Sequence, residues 1–231
     1  MSLTKKYGAP GSINYDIIKQ PYYGYDVLGG LNFCLLNLGI DTKSLYAGLN
    51  KIKYPCKERR DSLRGFSRTF GWLPKHANYR DKCSISVMER DNKKVTDLLY
   101  DLSRILDSAI ESNFPSIYEA QTEIVRKLGK GISKCFTSGI TTKNHNLKYH
   151  TDKGNSPRCI SALVCVRDDC VEGGNLNLPT RKLSLDFKDG DVLLFDGRAL
   201  PHGVTPLILN GGNRYSIVYY VLEGLWHCEE V

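Results

Sequence analysis

After about residue 131 the sequence breaks into short β-rich runs: ISKCFTSGI, LKYHTD, CISALVCV, NLNLP, KLSLDF, DVLLF, HGVTPLIL and RYSIVYYVL. Glycine, proline, asparagine and aspartate separate them. Short strands punctuated in this way predict an all-β sandwich, barrel or jelly roll. The first 130 residues have a different texture. Val95, Leu98, Leu99, Leu102, Ile105, Leu106, Ala109 and Ile110 recur at three- and four-residue spacing, which predicts a helix over 94–113 closed by Pro115. A further helix is expected over 116–128, ended by Gly129, with shorter ones over 26–39 and after Asp41 or Thr42. Residues 1–25 read as a loose arm, and 51–82 as loop with short strands. The chain of 231 residues suits one domain. The expected fold class is α+β: a helical, basic N-terminal part (1–130) packed on a β core (131–231).

Charge is unevenly spread. Residues 51–82 hold ten Lys/Arg against three acids, a surplus equal to the whole net charge of +7. Tyr54, Phe66, Phe70, Trp72 and Tyr79 are interleaved there. Cations beside aromatic faces suit a polyanion with stackable bases, although a solvated face with core aromatics would look the same. No run approaches the roughly 18 to 20 apolar residues of a membrane span, and MSLTKKYGAPGS lacks the apolar stretch of a secretory signal. An intracellular protein with no membrane association is expected. The eight cysteines include no C-x-x-C pair, so free thiols are expected rather than disulfides or zinc.

The chemistry is concentrated in LKYHTDKGN, residues 147–155. Strand alternation places Lys148, His150 and Asp152 on one face. An imidazole beside a carboxylate is half of a mixed N/O metal site, though alone it is more often a hydrogen-bonded pair. His202, in FDGRALPHGVTPL, supplies the third ligand, whereas His76, His145 and His227 fit less well. Two histidines and one carboxylate form the facial triad of non-haem Fe(II) oxygenases, with positions left open for a cosubstrate and O₂. Arg214 and Ser216 share a face of RYSIVYYVL with Val218, Tyr220 and Leu222. A guanidinium and a hydroxyl together hold a carboxylate, here the far carboxylate of 2-oxoglutarate. By itself Arg214 would read as a surface ion pair.

The series LKYHTDKGN, GGNLNLP, LLFDG, PHGVTPL and RYSIVYYVL resembles the TET/JBP family of 2-oxoglutarate/Fe(II) dioxygenases, over about residues 131–228 and weakly in SRTFGWLP. The resemblance implies a double-stranded β-helix, jelly-roll or cupin-like, with N-terminal helices packed on it. It implies oxidation of the 5-methyl group of 5-methylcytosine in DNA to 5-hydroxymethylcytosine or beyond, with Fe(II), 2-oxoglutarate and O₂. His150, Asp152 and His202 match the iron ligands. Arg214 matches the 2-oxoglutarate anchor, with Ser216 beside it. Asn155 falls where TET enzymes contact the target base, although Gly-Asn also favours a plain turn. The resemblance departs at Leu222, which stands where TET enzymes place a base-contacting histidine; thymine is therefore retained as a substrate.

The base must flip out of duplex DNA to reach such a site. Phe70, Trp72 and Tyr149 are stacking candidates, and Arg59, Arg60, Arg64 and Arg68 are candidates for the DNA backbone. Gly173 and Gly174 read as a turn. No obligate protein partner is expected. The remaining alternatives are an oxygenase acting on a protein or small molecule, and a DNA-binding module without chemistry.

Overall fold

The computed structural model describes residues 3–25, 31–58, 64–76 and 82–228, with the backbone alone for Thr4, 56–58 and 64–66. The helices are α1 (Leu3–Tyr7), α2 (Thr42–Asn50), α3 (Val87–Asp91), α4 (Lys93–Asn113) and α5 (Pro115–Leu128). The first strands are β1 (Asp16–Ile18), β2 (Tyr22–Tyr25), β3 (Leu31–Asn37), β4 (Cys56–Glu58), β5 (Arg64–Leu73), β6 (Ser84–Ile85) and β7 (Ser138–Lys143). Then come β8 (Ser161–Arg167), β9 (Glu172–Gly173), β10 (Leu176–Leu178), β11 (Leu183–Leu185) and β12 (Asp191–Phe195). The last are β13 (Gly203–Val204), β14 (Leu207–Ile208) and β15 (Arg214–Tyr220), before a 3₁₀ turn at Glu223–His227.

The larger sheet runs β2-β3-β12-β8-β15-β7-β5-β4, with β6 paired to β5; the smaller runs β1-β11-β10-β13, and β9 pairs with β14. Strand alternation sorts the core into two layers. Cys34, Leu36, Ala162, Val164, Val166, Val192, Leu194, Tyr215, Ile217 and Tyr219 face the helices. Phe33, Leu35, Leu163, Cys165, Leu193 and Phe195 face the smaller sheet and its Leu176, Leu178, Leu185 and Val204. Strands buried on both faces read as continuous apolar runs. That explains the correction at 26–39. The expected helix is, over Leu31–Asn37, the strand β3, held between β2 and β12; the rest of the proposed start lies outside the described residues. Phe33, Cys34, Leu35 and Leu36, four apolar residues in succession, carry no period to separate helix from strand.

Helix α4 matches expectation. Its stripe of Val95, Leu99, Leu102, Leu106 and Ile110 is buried, and each such leucine stabilises by about 1.5–3 kcal/mol. Pro115 is the first residue of α5, where its missing N–H costs nothing. Gly129 ends α5 at φ 59°, a left-handed cap. Two buried polar side chains fasten these helices. Asp107 accepts from the Ser133 hydroxyl (2.9 Å) and the N–H groups of Lys134 (2.9 Å) and Cys135 (3.0 Å). Gln121 donates to the carbonyls of Cys135 (2.7 Å) and Ile160 (3.0 Å) and accepts from the Ile160 N–H (2.7 Å).

The N-terminal part is less helical than expected. It contributes β1 to β6, including the ten-residue β5, and within residues 3–25 it forms α1, β1 and β2 rather than a loose arm. The expectation of free thiols is also corrected: Cys83 and Cys228 form a disulfide, Cα atoms 5.6 Å apart, while Cys34, Cys135, Cys159, Cys165 and Cys170 are free. Among the described residues, no helix is long and apolar enough to cross a membrane.

Candidate functional site

LKYHTD does not form the expected strand. Its pairing shrinks to one antiparallel bridge between His150 and His202, whose N–H groups donate to each other's carbonyls at 2.9 and 3.0 Å. That bridge, with the Val204 N–H bonded to the Leu147 carbonyl at 2.8 Å, sets the two imidazoles side by side, ring centroids 4.3 Å apart. Asp152 arrives from the following turn, its N–H bonded to the Gly197 carbonyl at 2.9 Å. Ligand atoms of all three lie within 4.8 Å of one another. Nε2 of His150 and Nε2 of His202 stand 3.5 and 3.7 Å from the Asp152 carboxylate oxygens, too long for hydrogen bonds.

The donor set fits Fe(II). Nδ1 of His150 lies 2.9 Å from the Lys148 carbonyl, and Nδ1 of His202 lies 2.8 Å from that of Leu200. With Nδ1–H donating there, both Nε2 lone pairs face Asp152, as metal ligands require. His202 is buried, and burial followed by the neighbouring His150 pushes its pKa down to about 4 against the pull of Asp152. Its imidazole is neutral at neutral pH and able to ligate. Gly197 keeps the space clear: a Cβ there would lie 2.5 Å from Asp152 Oδ2.

A cavity of about 470 Å³ opens beside the triad. Strand β15 sends Ser216, Val218 and Tyr220 into it, with Leu222 beyond, while Tyr215, Ile217 and Tyr219 go to the helices. Ile140, Thr142, Leu163, Leu176, Phe195 and Val204 add further walls. Arg214 is 1% exposed and donates through Nη1 to Ser216 Oγ at 2.7 Å. Its Nε is buried without a hydrogen-bond partner among the described residues. A buried guanidinium nitrogen beside a hydroxyl fits a carboxylate, and this is the observation that accommodates 2-oxoglutarate. Asn144 fixes the arginine's backbone, accepting from its N–H at 2.7 Å and donating to its carbonyl at 2.8 Å. Gly174, at φ 73°, supplies room, since a Cβ would lie 3.1 Å from Arg214 Nε.

The other sequence candidates separate. Tyr149 lines the cavity, and burial pushes its hydroxyl pKa up to about 12. Asn155 also lines it, donating to Ser161 Oγ at 3.0 Å and bridging Leu222 through the backbone. On β5, Ser67 and Thr69 stand opposite the cavity residues Thr142 and Ile140, so Arg68 and Phe70 take the other face. Phe70 is core, and Arg68 donates to the Lys53 carbonyl at 2.9 Å. Trp72 packs in the core under Lys130, 5.3 Å from its ring centre, outside the cavity lining. Arg59 and Arg60 lie outside the described residues, as does the side chain of Arg64.

Sequence reasoning missed Arg198, Lys153 and Gly197. The Asp-Gly of FDGR was the available signal, because Asp196 accepts from the N–H groups of Arg198 (3.0 Å) and Ala199 (2.9 Å) and shapes that turn.

Residues 74–223 match the family model Tet_JBP, described as the oxygenase domain of the 2OGFeDO superfamily. The chain belongs to this Tet_JBP family. The bifunctional helicase and thymine dioxygenase JBP2 of Trypanosoma brucei brucei is 32% identical over 147 residues, 62% of this chain and 14% of that protein. JBP2 of Leishmania braziliensis is 28% identical over 146 residues, covering 62% and 13%. The chain thus matches a small part of the length of these relatives. Among solved structures, NgTET1 in complex with 5mC DNA aligns with a TM-score of 0.63 at 14% identity, over 94% of this chain and 85% of that one. An oxidoreductase of the 2OG-Fe(II) oxygenase family from Burkholderia pseudomallei aligns at TM-score 0.54 and 11% identity, covering 82% and 84%. The Tet_JBP fold here is the double-stranded β-helix, with α4 and α5 packed on its larger sheet.

Proposed function

We propose that this Tet_JBP chain is an Fe(II)- and 2-oxoglutarate-dependent dioxygenase that hydroxylates the 5-methyl group of a pyrimidine in DNA, 5-methylcytosine being the first substrate to test. The observation that carries the reading is the triad His150, Asp152 and His202 sharing one cavity wall with Ser216, against which the buried Arg214 is hydrogen-bonded. Bound Fe(II) and 2-oxoglutarate would supply O₂ activation, with succinate and CO₂ as coproducts. The chain would orient the cosubstrate through Arg214 and Ser216 and exclude water with Leu163, Leu176, Val204 and Val218. The target base would leave the duplex to enter the cavity, and stacking on Tyr149, the one of the three sequence-selected aromatics among the lining residues, would offset part of that cost. A DNA substrate puts the protein in a DNA-bearing compartment, nucleus or cytoplasm according to host.

The test is mass spectrometry of nucleosides after incubation of methylated and unmethylated duplex DNA with enzyme, Fe(II) and 2-oxoglutarate, with His150→Ala as control. Hydroxymethylcytosine, with any formyl or carboxyl product, supports the reading. Succinate without any altered nucleoside overturns it in favour of another substrate class.

A second reading, thymine hydroxylation, is favoured by Leu222. Its side chain lines the cavity and offers the base no hydrogen bond, where TET enzymes use a histidine. The thymine dioxygenases among the relatives support the same reading. Leu222→His is expected to raise the ratio of methylcytosine to thymine product at least fivefold; an unchanged ratio removes Leu222 as a discriminator.

Two exposed lysines, Lys148 and Lys153, stand among the cavity-lining residues, close to where phosphates of a flipped nucleotide would pass. Lys148→Ala with Lys153→Ala is expected to weaken binding to every DNA sequence and lower the salt slope by about two. The same assay on Arg59→Ala with Arg60→Ala tests the basic segment. An unaltered salt slope rejects the pair concerned.

A further inference from the structure

The turn that carries Asp152 continues through Lys153, Gly154 and Asn155, and three successive carbonyls leave it on the side of Arg198 and Glu223. One guanidinium nitrogen, Nη1 of Arg198, donates to the Lys153 carbonyl at 3.0 Å and to the Asn155 carbonyl. The same nitrogen reaches the Glu223 carboxylate. The intervening Gly154 carbonyl accepts from the Glu223 N–H at 3.0 Å. Downstream, the Ser156 N–H bonds the Val221 carbonyl at 2.8 Å, and Asn155 bridges Leu222. Upstream, the neighbour of Arg198, Gly197, holds the Asp152 N–H.

We infer that Arg198 is a positioning residue: it locks the turn bearing the ligand Asp152 and the cavity residue Asn155 against the segment Val221–Glu223. This rests on the Fe(II) reading of the site. The physical case is charge. The Lys153 and Asn155 carbonyl oxygens and the Glu223 carboxylate converge on one nitrogen and repel one another, and a cation among them turns that repulsion into attraction. Without Arg198 the turn relaxes outward, and Asp152 moves with it because only two residues separate it from Asn155. A lysine keeps the charge on one nitrogen, but its shorter side chain does not carry that nitrogen as far as Nη1.

Arg198→Ala, Arg198→Lys and Glu223→Gln are compared with Arg126→Ala, which breaks an exposed ion pair on α5 far along the chain. The readouts are anaerobic Fe(II) titration with 2-oxoglutarate and no DNA, thermal melting, and succinate formed per base oxidised. Arg198→Ala is expected to weaken Fe(II) binding about tenfold, as loss of a ligand's supporting contacts does, and to at least double the succinate released per oxidised base. Arg198→Lys recovers part of both, Glu223→Gln shows a smaller loss, and Arg126→Ala changes neither. Native Fe(II) affinity and coupling in folded Arg198→Ala overturn the inference. Should that variant not fold, native values in both Arg198→Lys and Glu223→Gln overturn it. Failure of the underlying reading looks different: the unaltered protein itself does not bind Fe(II).

Discussion

Asp152→Ala is expected to remove oxygenase turnover, by more than about a thousandfold, while leaving the melting temperature within a few degrees. The carboxylate supplies the only negative charge among the three ligand side chains, and it stands between two imidazole Nε2 atoms 3.5 and 3.7 Å away. Its removal leaves two neutral donors, a set with little hold on a hard divalent cation. Stability should change little, because Asp152 is anchored through its backbone N–H to Gly197, a bond that alanine retains. Asp152→Glu should fail as well. The added methylene displaces the carboxylate oxygens from their place between the two imidazoles, where the backbone bond to Gly197 holds the residue's main chain fixed. Gly197→Ala crowds the same carboxylate from the other side. Anaerobic Fe(II) titration, nucleoside analysis and melting of the three variants check the set. Turnover within tenfold of native in Asp152→Ala would remove it from the metal site.

The site was legible in the sequence for a reason that did not depend on the expected secondary structure being right. Residues 147–152 are expected as a strand and form only a bridge, yet His150 and His202 still meet, because their paired N–H···O=C bonds and the Val204 N–H bond to the Leu147 carbonyl set the two residues opposite each other. Along β15 and just beyond it, alternation sends Ser216, Val218, Tyr220 and Leu222 to one cavity and Tyr215, Ile217 and Tyr219 to the other layer, while Arg214 is outside the cavity lining and hydrogen-bonded to Ser216. The N-terminal strands were hidden by different causes. LNFCLLN has four apolar residues in succession, Phe33, Cys34, Leu35 and Leu36, all buried, and so no period to read. In β5, Gly65 and Gly71 read as breaks; Gly71 takes φ 77°, and a Cβ there would lie 2.6 Å from the Thr137 carbonyl oxygen, so glycine lets the strand continue where another residue would clash. The Cys83–Cys228 pair is separated by 145 residues and leaves no local trace. FDGR marked the turn that holds Arg198 but not its contacts, because two of its partners are the carbonyls of Lys153 and Asn155, which any residue could offer, and the third, Glu223, lies 25 residues away.

Arg214→Met is expected to raise the KM for 2-oxoglutarate about 100-fold and to abolish stabilisation by that ligand. Hydrogen bonds to a charged group contribute about 1.5–3 kcal/mol each, so a carboxylate held by Nε and a second guanidinium hydrogen stands to lose roughly 3 kcal/mol. In the unaltered protein, 2-oxoglutarate at 100 times its Kd should stabilise the folded state by about 2.7 kcal/mol, roughly 5–10 °C in a domain of this size. The sign in the absence of ligand runs the other way. Arg214 is buried, and among the described residues no carboxylate forms an ion pair with it. Replacing a buried, unpaired cation with an apolar side chain of similar length is neutral or stabilising. The ligand-free melting temperature of Arg214→Met should therefore match or exceed that of the unaltered protein, while its response to 2-oxoglutarate disappears. A purely structural arginine would give the opposite pattern, a lowered melting temperature with the ligand response intact. Melting curves of both proteins with and without 2-oxoglutarate, taken under nitrogen with Fe(II), separate the two roles.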